Sequence, residues 1–180
     1  AVHALGIDLS HKMLEEATKR NNSPHIEYKC MAIEDFDYIP ESYDIVISSL
    51  TFHYLELFPD ICKKVHRCLT PGGTFVFSVE HPVFTAYGSQ DWFYDKQRNI
   101  LHWPVDRYFS EGKREAIFLG ENVTKFHKTL TTYVNGLIQN GFEITGLVEP
   151  EPDKTLLDSI PGMRDELRRP MMLIIAAIKK

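Results

Sequence analysis

Apolar stretches alternate with segments of helical periodicity in the first part of the chain. Residues 1–7 are mainly apolar and predict a buried strand, which ends at Asp8. Ser10 can cap a helix that continues to about residue 20, and residues 26–31 predict a second short strand. This order of strand, helix and strand is typical of the beginning of an α/β fold.

The alternation continues through the middle of the chain. Residues 43–48 are rich in β-branched side chains and lack polar alternation, which predicts a strand covered on both faces of a parallel sheet. Pro59 suits the first turn of the next helix, which the Pro-Gly-Gly sequence at residues 71–73 is expected to end. Residues 74–79 then predict another buried strand.

The last third of the chain repeats the pattern. A helix with one apolar stripe is predicted from about Lys125, and the Asn-Gly pair at residues 140–141 is expected to end it. Residues 142–148 and 171–178 predict the last two strands. Strands separated by helices indicate an α/β fold with an open, doubly wound, mostly parallel sheet.

Residues 80–124 interrupt this alternation and are rich in aromatic side chains. A long segment of this kind within a compact domain is typical of a lid or binding loop, and its aromatic content argues against disorder. The insertion can equally fold around its own small hydrophobic core. Its aromatic residues are Phe84, Tyr87, Trp92, Phe93, Tyr94, Trp103, Tyr108, Phe109 and Phe118.

Composition narrows the class of protein. A chain of 180 residues fits one domain spanning residues 1–180, and its net charge of -5 argues against a nucleic-acid backbone as partner. The sequence has neither an apolar run of membrane-spanning length nor a secretion signal, so we expect a cytoplasmic protein that binds no membrane. The three cysteines lack paired spacing, and we predict no metal site.

Ligands of open α/β sheets bind beyond the carboxyl ends of the strands, where Asp8 is the first polar side chain. A carboxylate at this position can accept the hydroxyl protons of a ribose. It can equally help to cap the helix that follows, and the sequence leaves both interpretations open.

Four segments occur in an order that resembles a known family. They read Gly-Ile-Asp-Leu-Ser at residues 6–10, Ala-Ile-Glu-Asp at 32–35, Tyr-Asp-Ile-Val-Ile-Ser-Ser at 43–49 and Leu-Thr-Pro-Gly-Gly-Thr-Phe at 69–75. Together they resemble the class I methyltransferases that depend on S-adenosylmethionine, in the small-molecule branch called type 11. The resemblance covers about the first 80 residues and implies a Rossmann-like sheet with an antiparallel C-terminal strand.

The resemblance also implies which residues bind the cofactor. Asp8 would hold the ribose hydroxyls of S-adenosylmethionine, and Ala32 and Ile33 would lie against the adenine. Glu34 or Asp35 would meet the polar edge of that ring.

Residues after the 43–48 strand would contact the other end of the cofactor. Ser48, Ser49 and Leu50 would flank the methionine part, and Phe52 and His53 would approach the sulfonium. For Ser49 and Phe52 in particular, ordinary packing or capping is the stronger alternative.

The methyl acceptor is expected beyond the 74–79 strand. His81 is the first candidate for a general base and Glu80 the second, although His81 also fits an extended residue before a proline. Trp92, Trp103 and Tyr108 are candidates to close over the substrate. Arg168, next to Arg169, can bind an acidic substrate group, or the pair can be a solvated strand edge.

One departure from the family is clear. The family has a glycine-rich loop after its first strand, whereas this sequence opens on what resembles the second strand. In this fold the first strand lies between the strands that end at Asp8 and Ser48. We therefore expect that an N-terminal portion with that strand and loop is missing from the 180-residue chain.

The sequence thus predicts an enzyme that transfers a methyl group from S-adenosylmethionine to a small molecule. A nicotinamide-dependent oxidoreductase is the alternative within enzymes, because Asp8 would serve the ribose of that cofactor equally well. A non-catalytic binding protein on the same fold is the alternative from another class. A homodimer is left open.

Overall fold

The computed structural model describes residues 2–118 and 120–180 in two compact units. The first unit extends to Tyr38, and the second runs from Ile39 to Lys180. Ala1, the first residue of the predicted opening strand, lies outside the described residues.

The first unit is a strand–helix–strand motif formed by β1 (Ala4–Asp8), α1 (His11–Arg20) and β2 (Ile26–Cys30). The two strands pair in parallel, with Gly6 opposite Tyr28. Gly6 is needed there because a Cβ would lie 2.8 Å from the Tyr28 ring. Ser10 caps α1 as expected, since its Oγ accepts a hydrogen bond from the Met13 amide. A 3₁₀ turn at Ile33–Asp35 follows.

The second unit contains the remaining elements, and it also has 3₁₀ turns at Phe52–Tyr54 and Met163–Arg168. In chain order the elements are β3 (Tyr43–Ser49), α2 (Phe58–Cys68), β4 (Leu69–Glu80), α3 (Pro82–Thr85), β5 (Phe93–Tyr94), β6 (Ile100–His102), β7 (Gly112–Phe118), β8 (Glu121–His127), α4 (Leu130–Gln139), β9 (Phe142–Val148), α5 (Lys154–Ser159) and β10 (Met172–Lys179).

A four-stranded sheet in the order β3-β4-β10-β9 organises the second unit. β3 and β4 are parallel, and β10 runs antiparallel to both of its neighbours, which confirms the predicted antiparallel C-terminal strand. The carboxyl ends of β3 and β4 therefore lie side by side at one edge of the sheet, with Ser49 opposite Ser78. This edge is where ligands of such sheets bind.

The core lies on one face of this sheet. Phe75 and Phe77 of β4 are completely buried, and they contact Phe58 of α2 and Tyr133 of α4 either directly or through one another. These rings meet in tilted or edge-to-face arrangements with centroids about 5 to 6 Å apart. Aromatic packing thus fixes β4 against both helices.

The opposite face of β3 differs from the prediction. Ile45 and Ile47 are 59% and 74% exposed, so the prediction of a strand covered on both faces is wrong for the described residues. Within the same residues β3 pairs only with β4, and β1 pairs only with β2. That a further strand belongs between β1 and β3 stays a prediction.

Two predicted boundaries also change. The helix expected from Lys125 begins at Leu130, because Thr129 caps it and Lys125 belongs to β8, where buried and less buried residues alternate. α2 ends at Cys68 rather than at the Pro-Gly-Gly sequence, which lies inside β4.

The insertion is more regular than expected, since β5 pairs with β6 and β7 pairs with β8 in antiparallel hairpins. Among the described residues no helix has the length and apolar character needed to cross a membrane.

Gly73 offers a test of how tightly β4 is packed. A Cβ at this position would lie 2.8 Å from the Thr70 carbonyl oxygen, which is backbone and cannot easily move. We expect Gly73→Ala to lower the free energy of unfolding by ~1–3 kcal/mol in a urea titration. Gly88→Ala is the matched control, because its nearest atom would be at an ordinary 3.5 Å, and it should change stability little. Equal effects of the two substitutions would contradict this packing.

Candidate functional site

Asp8 lies at the carboxyl end of β1, exposed, in the first unit. Its Oδ1 accepts a hydrogen bond of 2.7 Å from the Ser10 amide, while Ser10 itself provides the side-chain cap of α1. Among the described residues no donor reaches Oδ2 of Asp8. The carboxylate therefore supports the turn before α1 and keeps one oxygen for a ligand.

The 3₁₀ turn after β2 carries the predicted adenine residues. Ala32 and Ile33 are partly buried, whereas the Glu34 side chain is exposed. The buried Tyr38 donates a hydrogen bond from its hydroxyl to the Ile33 carbonyl oxygen at 3.0 Å, which fixes this turn. A fixed turn with apolar side chains and a nearby carboxylate is suited to a flat heterocycle with a polar edge.

In the second unit, the end of β3 adopts an unusual backbone conformation. Leu50 has a φ of +54°, a left-handed value that is uncommon for a residue with a branched side chain. Its amide donates a hydrogen bond to the Ser78 carbonyl oxygen at 2.9 Å, which holds the conformation against β4. The Ser78 hydroxyl lies 3.4 Å from that of Ser49, and Ser48 precedes this pair in β3. Such strained residues are frequent at functional sites.

Of the two residues expected near the sulfonium, Phe52 packs in the core and His53 makes a polar contact. Phe52 is fully buried against Phe58, Phe75 and Phe77, so it belongs to the hydrophobic core. His53 is only 2% exposed, and its Nδ1 accepts a hydrogen bond from the Glu80 amide at 3.3 Å.

The protonation of His53 follows from its burial. Burial lowers its pKa to about 4, and the nearby Lys125 and Lys128 act in the same direction while Glu80 opposes them. His53 is therefore neutral at pH 7. Because Nδ1 is an acceptor, the ring proton is on Nε2.

Glu80 forms the centre of a buried polar cluster at the end of β4. Its Oε1 lies 2.5 Å from Nζ of Lys125, and its Oε2 accepts a hydrogen bond from Nε2 of Gln90 at 2.8 Å. Lys125 also donates to Oε1 of Gln90 at 2.8 Å, which closes a triangle. The Lys125 side chain is 2% exposed, and its ammonium lies 5.4 Å from the centre of the Phe118 ring. Of the two partners of Glu80, Gln90 comes from the insertion, and Lys125 of β8 directly follows it.

His81 is engaged at both ring nitrogens. Nδ1 accepts a hydrogen bond from the Val83 amide at 3.0 Å and so caps α3, and Nε2 lies 2.8 Å from Oε1 of Glu149. The second contact is electrostatic, because the Nε2 group has no well-aligned hydrogen-bond partner. Burial lowers the pKa of His81 although Glu149 opposes this shift, so the ring favours its neutral form.

Aromatic residues of the insertion pack around the arginine that follows Arg168. The guanidinium of Arg169 lies 4.3 Å from the Trp103 ring centre and 5.1 Å from that of Trp92, and it makes a bidentate ion pair with Glu166. Trp103 also stacks on Phe84. Arg169 is buried, so the interpretation of both arginines as a solvated strand edge is wrong for this residue.

Arg168 and Tyr108 make contacts of their own. Arg168 pairs with Asp165 at 3.0 Å, donates to the Leu101 carbonyl oxygen and contacts the Trp92 ring, with part of its side chain exposed. The Tyr108 hydroxyl accepts a hydrogen bond from the Leu130 amide at the start of α4. These candidates thus help to hold the insertion together.

Comparison with known proteins identifies the family. A family model described as a methyltransferase domain matches residues 1–77. A crystal structure from Listeria monocytogenes, of a protein assigned as an S-adenosylmethionine dependent methyltransferase, is 54% identical with a TM-score of 0.95, over 100% of this chain and 81% of that one. The chain belongs to the S-adenosylmethionine-dependent methyltransferases.

Two further relatives agree with this assignment. The S-adenosylmethionine dependent methyltransferase from Mesorhizobium loti is 37% identical with a TM-score of 0.89, over 99% of this chain and 81% of that one. The malonyl-[acyl-carrier protein] O-methyltransferase of Priestia megaterium is 33% identical over 72 residues, which are 40% of this chain and 26% of that protein. The methyltransferase is thus a class I enzyme with S-adenosylmethionine as cofactor, not an oxidoreductase or a non-catalytic binding protein.

Lys125, Gln90 and Lys128 of the methyltransferase were not recognised from its sequence. The helix predicted from Lys125 places it on a helical surface, whereas in β8 it points inward with His127. The apolar residues of β8, Val123 and Phe126, are three apart, so the sequence there lacks the alternation that would have indicated an inward-facing Lys125. Within the described part of the methyltransferase no cluster of His, Cys, Asp or Glu side chains could hold a metal ion.

The low pKa of His53 makes stability depend on pH. Its folded pKa is about 4 against 6.5 for the ordinary side chain, so between these values the unfolded chain binds more protons. Stability should therefore fall by up to about 3 kcal/mol as the pH drops from 6.5 towards 4. Urea titrations of wild type and His53→Asn, which keeps an acceptor for the Glu80 amide, measure this loss. The variant should lack this part of the pH dependence, and the exposed control His25→Asn should retain it.

Proposed function

We propose that the methyltransferase transfers the methyl group of S-adenosylmethionine to a small-molecule acceptor that binds beside the carboxyl end of β4. The observation that carries this proposal is the buried cluster of Glu80, Lys125 and Gln90. It joins the aromatic insertion to the sheet at the edge where ligands of α/β sheets bind. An insertion anchored there is suited to cover a small acceptor and exclude water.

When bound, S-adenosylmethionine would supply a methyl group on its sulfonium; the acceptor would gain that methyl and lose a proton, and S-adenosylhomocysteine would leave. The protein therefore has to position the acceptor more than activate it. In the second unit we assign the binding of the methionine end of the cofactor to residues at and after the end of β3, namely Ser48, Ser49, Leu50 and His53. The neutral His53 ring, held by the Glu80 amide, adds no positive charge next to a sulfonium.

His81 remains the first candidate for a general base and Glu80 the second. His81 favours its neutral form, as a base must, but both of its ring nitrogens have partners in the protein. It must give up one of these contacts before it can take a proton. Glu80 has both carboxylate oxygens engaged, which makes its present role that of an anchor for the insertion.

Trp92, Trp103, Tyr108 and Arg168 are proposed to shape the acceptor site. Trp92 and Arg168 contact one another, and Arg168 is the most exposed of the four residues, so we assign this pair to meet a ligand. An arginine next to an indole ring suits an acceptor with an acidic group.

A carboxylate is a specific candidate for the group that accepts the methyl. The name of the Priestia megaterium relative specifies O-methylation of a malonyl group on a carrier protein. The match covers 26% of that protein, so a malonyl thioester is one compound to test rather than an assignment.

A labelled-methyl assay tests the proposed function. The enzyme is incubated with S-adenosylmethionine carrying a ¹³C methyl group and with separate pools of carboxylates, phenols, amines and a malonyl thioester. We expect S-adenosylhomocysteine release in one pool, together with a product that has gained the labelled methyl. Release of S-adenosylhomocysteine without a methylated compound in any pool would contradict a small-molecule acceptor.

The assigned role of Asp8 predicts a loss of cofactor affinity. Asp8→Ala should weaken S-adenosylmethionine binding by ~1.5–3 kcal/mol in calorimetry, the scale of hydrogen bonds to a charged group. Ser10→Ala is the control, because it should cost about 1 kcal/mol of stability as a lost helix cap and leave the affinity unchanged. If Asp8→Ala binds the cofactor as tightly as wild type, the carboxylate serves only the turn before α1.

A further inference from the structure

Lys128, directly after β8, has a buried ammonium group that no part of the preceding mechanism uses. Lys128 is 3% exposed. Nζ donates hydrogen bonds to the carbonyl oxygens of Phe52 at 3.3 Å, of Phe126 at 3.2 Å and of Leu55. All three protons of the ammonium therefore have backbone acceptors, and no carboxylate within the described residues forms an ion pair with it.

Two of these acceptors belong to one turn. Phe52 and Leu55 lie at the beginning and just after the end of the 3₁₀ turn Phe52–Tyr54, and the Leu55 amide also donates to the Phe52 carbonyl oxygen. The ammonium of Lys128 thus joins both ends of the turn. His53 lies between these two points, and its own ring is held from the other side by the Glu80 amide.

We propose that Lys128 is a positioning residue for methyl transfer, whose charged ammonium holds the Phe52–Tyr54 turn and thereby His53 in the geometry that binds S-adenosylmethionine. This inference rests on the proposed role of His53 at the reactive end of the cofactor. Lys128 does not contact the cofactor itself. It acts through the backbone of the turn.

The requirement for charge follows from the number of donors. A neutral amine has two protons rather than three, and its hydrogen bonds are weaker than those of an ammonium. Burial lowers the pKa of Lys128 to about 8 from 10.5, so the charged form is lost in mildly alkaline solution.

Several charged or titratable groups face Lys128. Glu111, from the loop before β7, and Glu56, just after the turn, raise its pKa. His53 and His127 also interact with it electrostatically, and the charge of Lys128 lowers the pKa of both. Both histidines are neutral in alkaline solution, so they add no further change there.

The test measures S-adenosylmethionine binding by calorimetry from about pH 6 to about pH 10. Wild type should lose affinity by about tenfold as the pH rises through 8, the scale of one hydrogen bond to a charged group. The amino group of the cofactor titrates in the same range. Each variant is therefore compared with wild type at the same pH, where the titration of the cofactor cancels.

Lys128→Arg keeps its charge at every pH and should show a smaller alkaline loss of affinity than wild type. Glu56→Gln, at an exposed position, removes a charge that raises the pKa of Lys128. It should move the alkaline midpoint to lower pH by roughly 0.3, the scale of a partly screened surface charge. Glu151→Gln, also exposed, is the matched control and should leave the midpoint where it is in wild type. Glu56→Gln keeps the test decisive if the buried arginine prevents folding.

Stability separates positioning from a purely structural role. Between pH 8 and 10.5 the unfolded chain binds more protons at Lys128 than the folded chain, so this residue makes stability rise with pH there. Loss of affinity with rising stability supports the proposal. If the ratio between the S-adenosylmethionine affinities of Glu56→Gln and wild type stays constant across this pH range, the proposal is overturned. If instead the proposed acceptor class is wrong, the labelled-methyl assay gives no methylated product, while the alkaline loss of S-adenosylmethionine affinity is still present.

Discussion

An ammonium group can be buried only where acceptors replace the water that it loses, and two lysines of the second unit impose this condition on their surroundings. Lys125 is compensated by Glu80 and Gln90, and Lys128 by three backbone carbonyl oxygens. The two residues are three apart in sequence and reach different parts of the same sheet edge. One holds the end of β4, and the other holds the turn after β3.

This arrangement joins the insertion to the end of β4. The hairpin of β7 and β8 carries no residue that the family resemblance assigned to the cofactor. Residues near and directly after the end of β8 nevertheless hold the surroundings of His53, since Lys128 binds the backbone of the turn and Lys125 binds the side chain of Glu80. Removal of either lysine would leave buried polar groups without partners. The loss of folding free energy would then exceed the net contribution of the hydrogen bonds themselves.

The aromatic residues of the insertion form a small core around one buried arginine. Trp103 and Phe84 stack on one another and on the buried Arg169, so they are structural in the first place. Trp92 contacts both arginines, and like Trp103 and Phe84 it is partly exposed. This packing supports the interpretation as a small hydrophobic core, and a role of these residues in covering the substrate stays a proposal.

The sequence by itself determined the α/β class, the βαβ motif, the limits of β9 and the family, because these depend on local periodicity and on short ordered motifs such as residues 69–75. Tertiary structure decided the rest. The exposed face of β3 and the inward direction of Lys125 depend on what packs against each strand, which period alone does not encode. Apart from the Phe126 carbonyl oxygen, the groups that compensate the charges of Lys125 and Lys128 lie 35 to 76 positions away in the chain, and no local pattern brings such groups together.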